Sequence, residues 1–73
     1  MGENGPLHLL DSAKGSQVIT HLKNGSVVSG ELKAYDLHLN MYLENATVEH
    51  DDTETQYGTL LVRGDNVIFV SPE

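Results

Sequence analysis

From Gln17 onward the chain alternates apolar and polar positions with a period of two, the mark of strands that bury one face. Val18, Thr20 and Leu22 fall on one side, Ile19 and His21 on the other. Asn24-Gly25 interrupts the pattern and reads as a two-residue hairpin turn, because both residue types tolerate positive φ. Alternation resumes over residues 26–36 with Val28, Leu32 and Ala34 on one face, so this second strand is expected to pair with the first. Gly30 lies mid-strand on that inward face, where a missing side chain permits bending or close approach of a neighbour, and bending suggests a small barrel. A third strand is expected over residues 39–48, with Leu39, Met41 and Leu43 inward and Asn40, Tyr42 and Glu44 outward. Residues 49–55 are acidic and carry no apolar side chain, which predicts an exposed loop. Strands over 56–62 and 67–70 complete the pattern; both are apolar on two faces, and such edges invite partner strands.

Ahead of the strands the spacing changes. Pro6 suits a first helical position, Leu7, Leu10 and Ala13 share a face, and Gly15 can adopt the left-handed geometry that ends a helix, so residues 6–14 are expected to form one. A helix this short is not stable in isolation and must pack its leucines on the sheet. Residues 1–5 and 71–73 are expected to be loose ends. The 73 residues make one domain. A chain of that size buries only about 60% of its unfolded surface, so help from neighbouring subunits is expected.

Composition narrows the class. With no cysteine there is neither a disulfide nor a thiolate metal site, and a reducing, cytoplasmic setting is the simplest reading. No apolar run approaches the roughly 20 residues of a membrane span, and residues 1–6 lack the basic and apolar segments of a secretory leader, so a soluble protein is expected. Eleven acidic residues against Lys14, Lys23, Lys33 and Arg63 give a formal net charge of −7. Diffuse attraction to nucleic acid depends on Lys and Arg neutralising phosphates, so any such contact must be local. At about 1 M salt the Debye length falls to about 3 Å, where an acidic surface repels phosphate far less. A halophilic origin is therefore one hypothesis, and an acidic mesophilic protein is the other.

Two segments carry the candidate chemistry: Asp36-Leu37-His38-Leu39-Asn40 and Arg63-Gly64-Asp65-Asn66. Each ends a strand-like run, so one folding step can bring imidazole, amide, guanidinium and carboxylate together. Imidazole and guanidinium offer planes for stacking, and an amide offers an acceptor and donors to the edge of a flat ring; a nucleobase is the natural guest. Singly, each residue has a duller reading. His38 suits an exposed loop, Asn40 a strand surface, Arg63 an ion pair with Asp65 or Asp36, and Gly64-Asp65-Asn66 an ordinary turn. Tyr35 and Tyr42 read as cover for the barrel or an interface, with a second stacking site as the alternative, and Lys23 and Lys33 as solvated flanks or phosphate contacts. The cluster His50-Asp51-Asp52 with Glu54 lacks the spacing that would frame a hard cation, so no metal or other cofactor is expected. Without a cysteine, a serine in a nucleophile elbow or a glycine-rich phosphate loop, catalysis is not expected.

The ordered residues carry a resemblance. Leu22-Lys23-Asn24-Gly25, Gly30, Leu32, Asp36 and Leu39-Asn40-Met41-Tyr42-Leu43 resemble the first motif of Sm-like (LSm) proteins, within residues 17–48. Leu60-Leu61-Val62-Arg63-Gly64-Asp65-Asn66-Val67 resembles the second, within residues 56–70. Arg63-Gly64 is similar to the archaeal and eukaryotic branches rather than the Lys-His of the bacterial host-factor branch, and the compact single chain looks archaeal. The resemblance implies a mostly β fold: a short N-terminal helix on a strongly bent five-stranded antiparallel sheet, a small SH3-like barrel that joins edge to edge into homo-oligomeric rings of six or seven copies. It further implies binding of short single-stranded U-rich RNA, with His38 and Arg63 stacking on a uracil, Asn40 reading its edge, Asp65 orienting Asn40 and the Gly64 backbone approaching the base. Asp36 is expected to bond local amides instead. Such a ring would serve as an RNA chaperone or scaffold in RNA processing, turnover or small-RNA regulation, alongside RNA-processing proteins. The alternative is a structural ring that mainly binds proteins.

Overall fold

A computed structural model describes residues 6–72. Helix α1 spans Pro6–Ala13 and buries Leu10 and Ala13; the side chain of Leu7 and residues 1–5 lie outside the described part. The helix stops because Gly15 turns left-handed, at φ +87°. The chain there is tied to the sheet: the Gly15 N–H donates to the Leu32 carbonyl at 2.7 Å and the Leu32 N–H to the Ser16 carbonyl at 2.9 Å.

Five antiparallel strands follow: β1 Gln17–Leu22, β2 Val27–Tyr35, β3 Met41–His50, β4 Thr53–Val62 and β5 Val67–Pro72, in the spatial order β4-β3-β2-β1-β5. Only Arg63 and a 3-10 turn, Gly64–Asn66, join β4 to β5, which lie at opposite edges of that sheet. Laid flat, four inter-strand spacings would part the two by about 19 Å. The five Cα-to-Cα steps from Val62 to Val67 at full stretch cover about 17 Å, and a 3-10 turn covers less. The sheet must therefore curl until its edges approach, and Val18, Val28, Leu32, Met41, Leu43, Ala46 and Val62 fill the interior with Leu10 and Ala13 closing one end. Thr20, buried among them, donates its hydroxyl to the Phe69 carbonyl at 3.1 Å.

The curl has local causes. A Cβ placed on Gly30 would sit 3.0 Å from the Ala46 Cβ and 3.1 Å from its Cα, so the absent side chain lets β3 cross close above β2. The β2–β3 register shifts beside it, between Ser29 and Glu31, and Asn45 adopts φ 51°. Beyond that residue the buried phase of β3 moves from Met41 and Leu43 to Ala46, as a bulge requires.

Several expectations from the sequence are corrected. Ala34 faces solvent, because a second register shift between Leu32 and Ala34 moves it off the inward phase. The β1–β2 turn has three residues, not two: Leu22 donates to the Ser26 carbonyl at 2.9 Å and only Gly25 takes a positive φ, while Asn24 uses its side chain to accept the Ser26 N–H. Residues 49–55 are not a loop. β3 and β4 continue through them as a hairpin whose turn is Asp51-Asp52, both at positive φ, 52° and 65°. Ser71 and Pro72, expected to be loose, extend β5 against β1. β3 begins at Met41, since Leu39 turns left-handed at φ 63°. No helix among the described residues is long and apolar enough to cross a membrane.

Candidate functional site

The curl that brings β4 round toward β5 lays the 63–66 connection across the β2–β3 loop. His38, Asn40, Arg63, Gly64 and Asp65, the five residues singled out from the sequence, together line one open pocket of about 450 Å³.

Asp36 builds the first wall. Its Oδ1 accepts the N–H groups of His38 and Asn40 at 2.9 and 3.1 Å, and backbone bonds from Leu39 N to Asp36 O (3.0 Å) and from Asp36 N to Asn40 O (3.1 Å) close the loop. Asp is suited to this because a short side chain can reach amides two and four residues on. Within the loop, Leu39 carries a left-handed backbone that costs a β-carbon residue about 1–2 kcal/mol. Its side chain packs against the core, which offsets that cost and leaves its two neighbours, His38 and Asn40, to line the pocket.

The second wall is locked to the first through Asn40. Its Nδ2 donates to Asp36 Oδ2 at 3.0 Å and its Oδ1 accepts the Gly64 N–H at 2.8 Å. Gly64 is required on steric grounds. A Cβ there would overlap the His38 carbonyl oxygen and stand 2.8 Å from the Leu39 carbonyl carbon, so any other residue would push the two loops apart. Arg63 projects into solvent, with its guanidinium donating to Asp65 Oδ2 at 3.2 Å. One bond of this kind leaves four of the five guanidinium donors and both faces of its plane free.

The expected division of labour is thus partly corrected. Asp36 does bond the local amides, but it also holds the Asn40 side chain, the task assigned to Asp65 from the sequence; Asp65 instead steadies Arg63. The signal for this was a carboxylate four residues before an amide in a short loop, but chain spacing alone did not favour it over the residue in the facing loop. Elsewhere, the Tyr35 hydroxyl donates to Asp11 on α1 at 3.1 Å and Lys33 pairs with Glu31 at 3.1 Å.

Electrostatically the pocket suits a neutral heterocycle better than a free anion, since the charge of Arg63 is answered by Asp65. The amide bond from Asn40, reinforced by the His38 and Asn40 N–H groups, holds the Asp36 carboxyl below the usual aspartate range. No group of three or more metal-ligating side chains occurs among the described residues.

A family model described as LSM domain matches residues 8–72. The chain is 41% identical over 70 residues to an snRNP Sm-like protein of Methanosarcina barkeri, covering 94% of this chain and 97% of that one. Its fold superposes on a Pyrococcus abyssii Sm protein solved in complex with a uridine heptamer, at a TM-score of 0.90 with 35% identity over 96% of this chain and 100% of the other. The P. aerophilum SmAP1 heptamer gives a TM-score of 0.87 with 35% identity, covering 93% and 92% of the two chains.

Proposed function

The chain belongs to the LSM-domain family of Sm-like proteins, and on that premise we propose that it closes into a homoheptameric ring that binds short single-stranded U-rich RNA, one uracil per protomer. The carrying observation is that one pocket collects His38, Asn40, Arg63, Gly64 and Asp65 while Asn40 keeps one N–H and one lone pair uncommitted. In this reading His38 and Arg63 stack on the base, each stacked base contributing about 1–3 kcal/mol. Asn40 accepts from the uracil ring N–H and donates to a neighbouring carbonyl oxygen. Weak pockets repeated at fixed spacing add by raising the effective concentration of each successive uridine.

Ring closure is supported by the edges. β4 and β5 are the outer strands, and they carry Tyr57, Leu61, Ile68 and Phe69, of which Leu61, Ile68 and Phe69 are 66%, 60% and 53% exposed in the single chain. Pairing β4 of one copy with β5 of the next would satisfy both backbone edges and cover these side chains. The contact is head-to-tail, so closure is what prevents a fibre. A cytoplasmic RNA chaperone or scaffold, acting by binding without catalysis or a cofactor, is the role this arrangement fits.

The test is fluorescence anisotropy of labelled seven-nucleotide oligo-U and oligo-C across a series of KCl concentrations. Preferential binding of oligo-U, lost by at least about tenfold in affinity in His38→Ala with Arg63→Ala, is expected. Equal, weak binding of both oligomers that the double variant leaves unchanged would replace the RNA reading with that of a protein-binding scaffold.

A further inference from the structure

We propose that Asn24-Gly25 is a site of self-modification, at which the chain slowly converts its own asparagine to aspartate or isoaspartate whenever the β1–β2 turn opens. The reaction needs only water. The Gly25 amide nitrogen attacks Asn24 Cγ, a C–N bond forms, the Cγ–Nδ2 bond breaks, and Nδ2 leaves as ammonia carrying the Gly25 proton. Water then opens the cyclic imide at either of its C–N bonds, giving an ordinary aspartate or a β-linked isoaspartate. Glycine favours the first step, because no Cβ crowds the attacking nitrogen. Nothing lies within 4 Å of the place that a Cβ on Gly25 would take, and both residues of the pair are exposed. Asn40, Asn45 and Asn66 precede Met41, Ala46 and Val67 instead, and the other Asn-Gly pair of the sequence, Asn4-Gly5, lies outside the described residues.

The closed turn restrains both reacting groups. The Gly25 N–H donates to the Leu22 carbonyl at 3.0 Å, which engages the nitrogen that must attack. Asn24 Oδ1 accepts the Ser26 N–H at 2.9 Å, which fixes the amide that must be attacked. Ser26 is itself anchored: it is only 4% exposed, and its Oγ shares a hydrogen bond of 3.0 Å with Nδ1 of His50 at the end of β3. The imide therefore forms only after these bonds open together, a local fluctuation far short of global unfolding.

The two products differ in what they do to the molecule, although each adds a negative charge to its protomer. Aspartate keeps an oxygen where Oδ1 stood and goes on accepting the Ser26 N–H, so the turn survives. Isoaspartate lengthens the main chain by a methylene and turns the former main-chain carboxyl into a charged branch, so neither that bond nor the one from Gly25 to Leu22 can close. Beside the turn lies the connection that carries Arg63. The Lys23 N–H donates to the Asn66 carbonyl at 2.8 Å, and the Asn66 N–H donates to the Arg63 carbonyl at 3.1 Å. Displacing Lys23 releases Asn66, and with it the 3-10 turn that places Gly64 and Asp65 next to Arg63. Its consequence for RNA rests on the proposed function; the chemistry at Asn24 does not.

The test incubates the full chain in mildly alkaline buffer with and without urea and follows conversion by peptide mass spectrometry, with fragmentation that distinguishes isoaspartate from aspartate. Urea is expected to speed conversion of Asn24 at least about a hundredfold, and His50→Ala, which releases Ser26, at least about tenfold in the native protein. Ser26→Ala takes the place of His50→Ala if that variant fails to fold. Oligo-U affinity of the aged protein is expected to fall in proportion to its isoaspartate content, while freshly made Asn24→Asp binds as the unsubstituted protein does. Asn24→Ser keeps an oxygen for the Ser26 N–H, cannot form the imide, and is expected to hold its affinity through the same incubation. Equal conversion of Asn24 with and without urea, an unchanged rate in the variant that releases Ser26, or an isoaspartate-rich fraction that binds oligo-U as fresh protein does, overturns the inference. Absence of any oligo-U preference in the fresh protein would overturn the proposed function instead and leave the conversion rates standing.

Discussion

At the scale of single residues, the site depends on a carboxylate whose ionised form is stabilised by the fold. Three hydrogen bonds from Asn40 and His38 lower the Asp36 pKa, with the Asn40 side-chain bond the largest contributor. A carboxyl depressed on folding adds stability that is complete above its unfolded value and is lost as the pH falls through the lower folded value. Carbon-13 NMR titration should therefore place the Asp36 midpoint below the ordinary aspartate range, with the Asn40 side-chain amide signals shifting over the same interval. A midpoint at or above that range would mean that the loop bonds are not populated in solution. The sequence disclosed the residue types of this site but not all its pairings. His38, Asn40, Arg63, Gly64 and Asp65 were legible because two short polar loops each ended an apolar run. That Asp36 rather than Asp65 holds Asn40 was not legible, since both carboxylates can reach an amide and only the crossing angle of the loops decides.

At the scale of elements, curvature is set where β2 and β3 cross at Gly30 and Ala46. The Gly30→Ala substitution would force a methyl group to 3.0 Å from the Ala46 Cβ, a distance at which one strand must move. Overpacking of this kind typically costs about 1–3 kcal/mol. Chemical denaturation of the variant should show a loss in that range with an unchanged denaturant slope, and a neutral effect would imply that the two strands do not cross so closely. The period of two identified the first three strands, short runs apolar on both faces marked the last two, and the inward glycine pointed to the bend, because all of these depend on local pattern. What alternation could not reveal was any feature created by pairing. Ala34 left the inward face through a register shift against β3, and the acidic run 49–55 became hairpin because Thr53 and Thr55 suit an exposed strand and two aspartates accept the left-handed turn. Polarity marked that segment as exposed, which it is, but exposure does not specify conformation.

At the scale of the whole molecule, seven copies at −7 each would gather about −49 formal charges around one opening. Mutual repulsion opposes assembly and also opposes RNA, and salt screens both. Ordinary nucleic-acid binding weakens as salt rises, because cationic side chains release counterions. Here the ring should tighten on passing from dilute to near-molar KCl, as followed by sedimentation, and oligo-U affinity should hold or rise over the same span. A subunit equally stable and equally assembled at both extremes would remove the hypothesis of adaptation to a saline cytoplasm, leaving an acidic surface of ordinary origin. The central claim, that each protomer of a closed ring seats one uracil between the 36–40 and 63–66 loops, is most directly tested by photocrosslinking. Oligo-U carrying a single 4-thiouridine should attach at His38 to Asn40 or Arg63 to Asp65 when adducts are mapped by peptide mass spectrometry, and adducts confined to other surfaces, or no more abundant than with a matched oligo-C carrier, would contradict it.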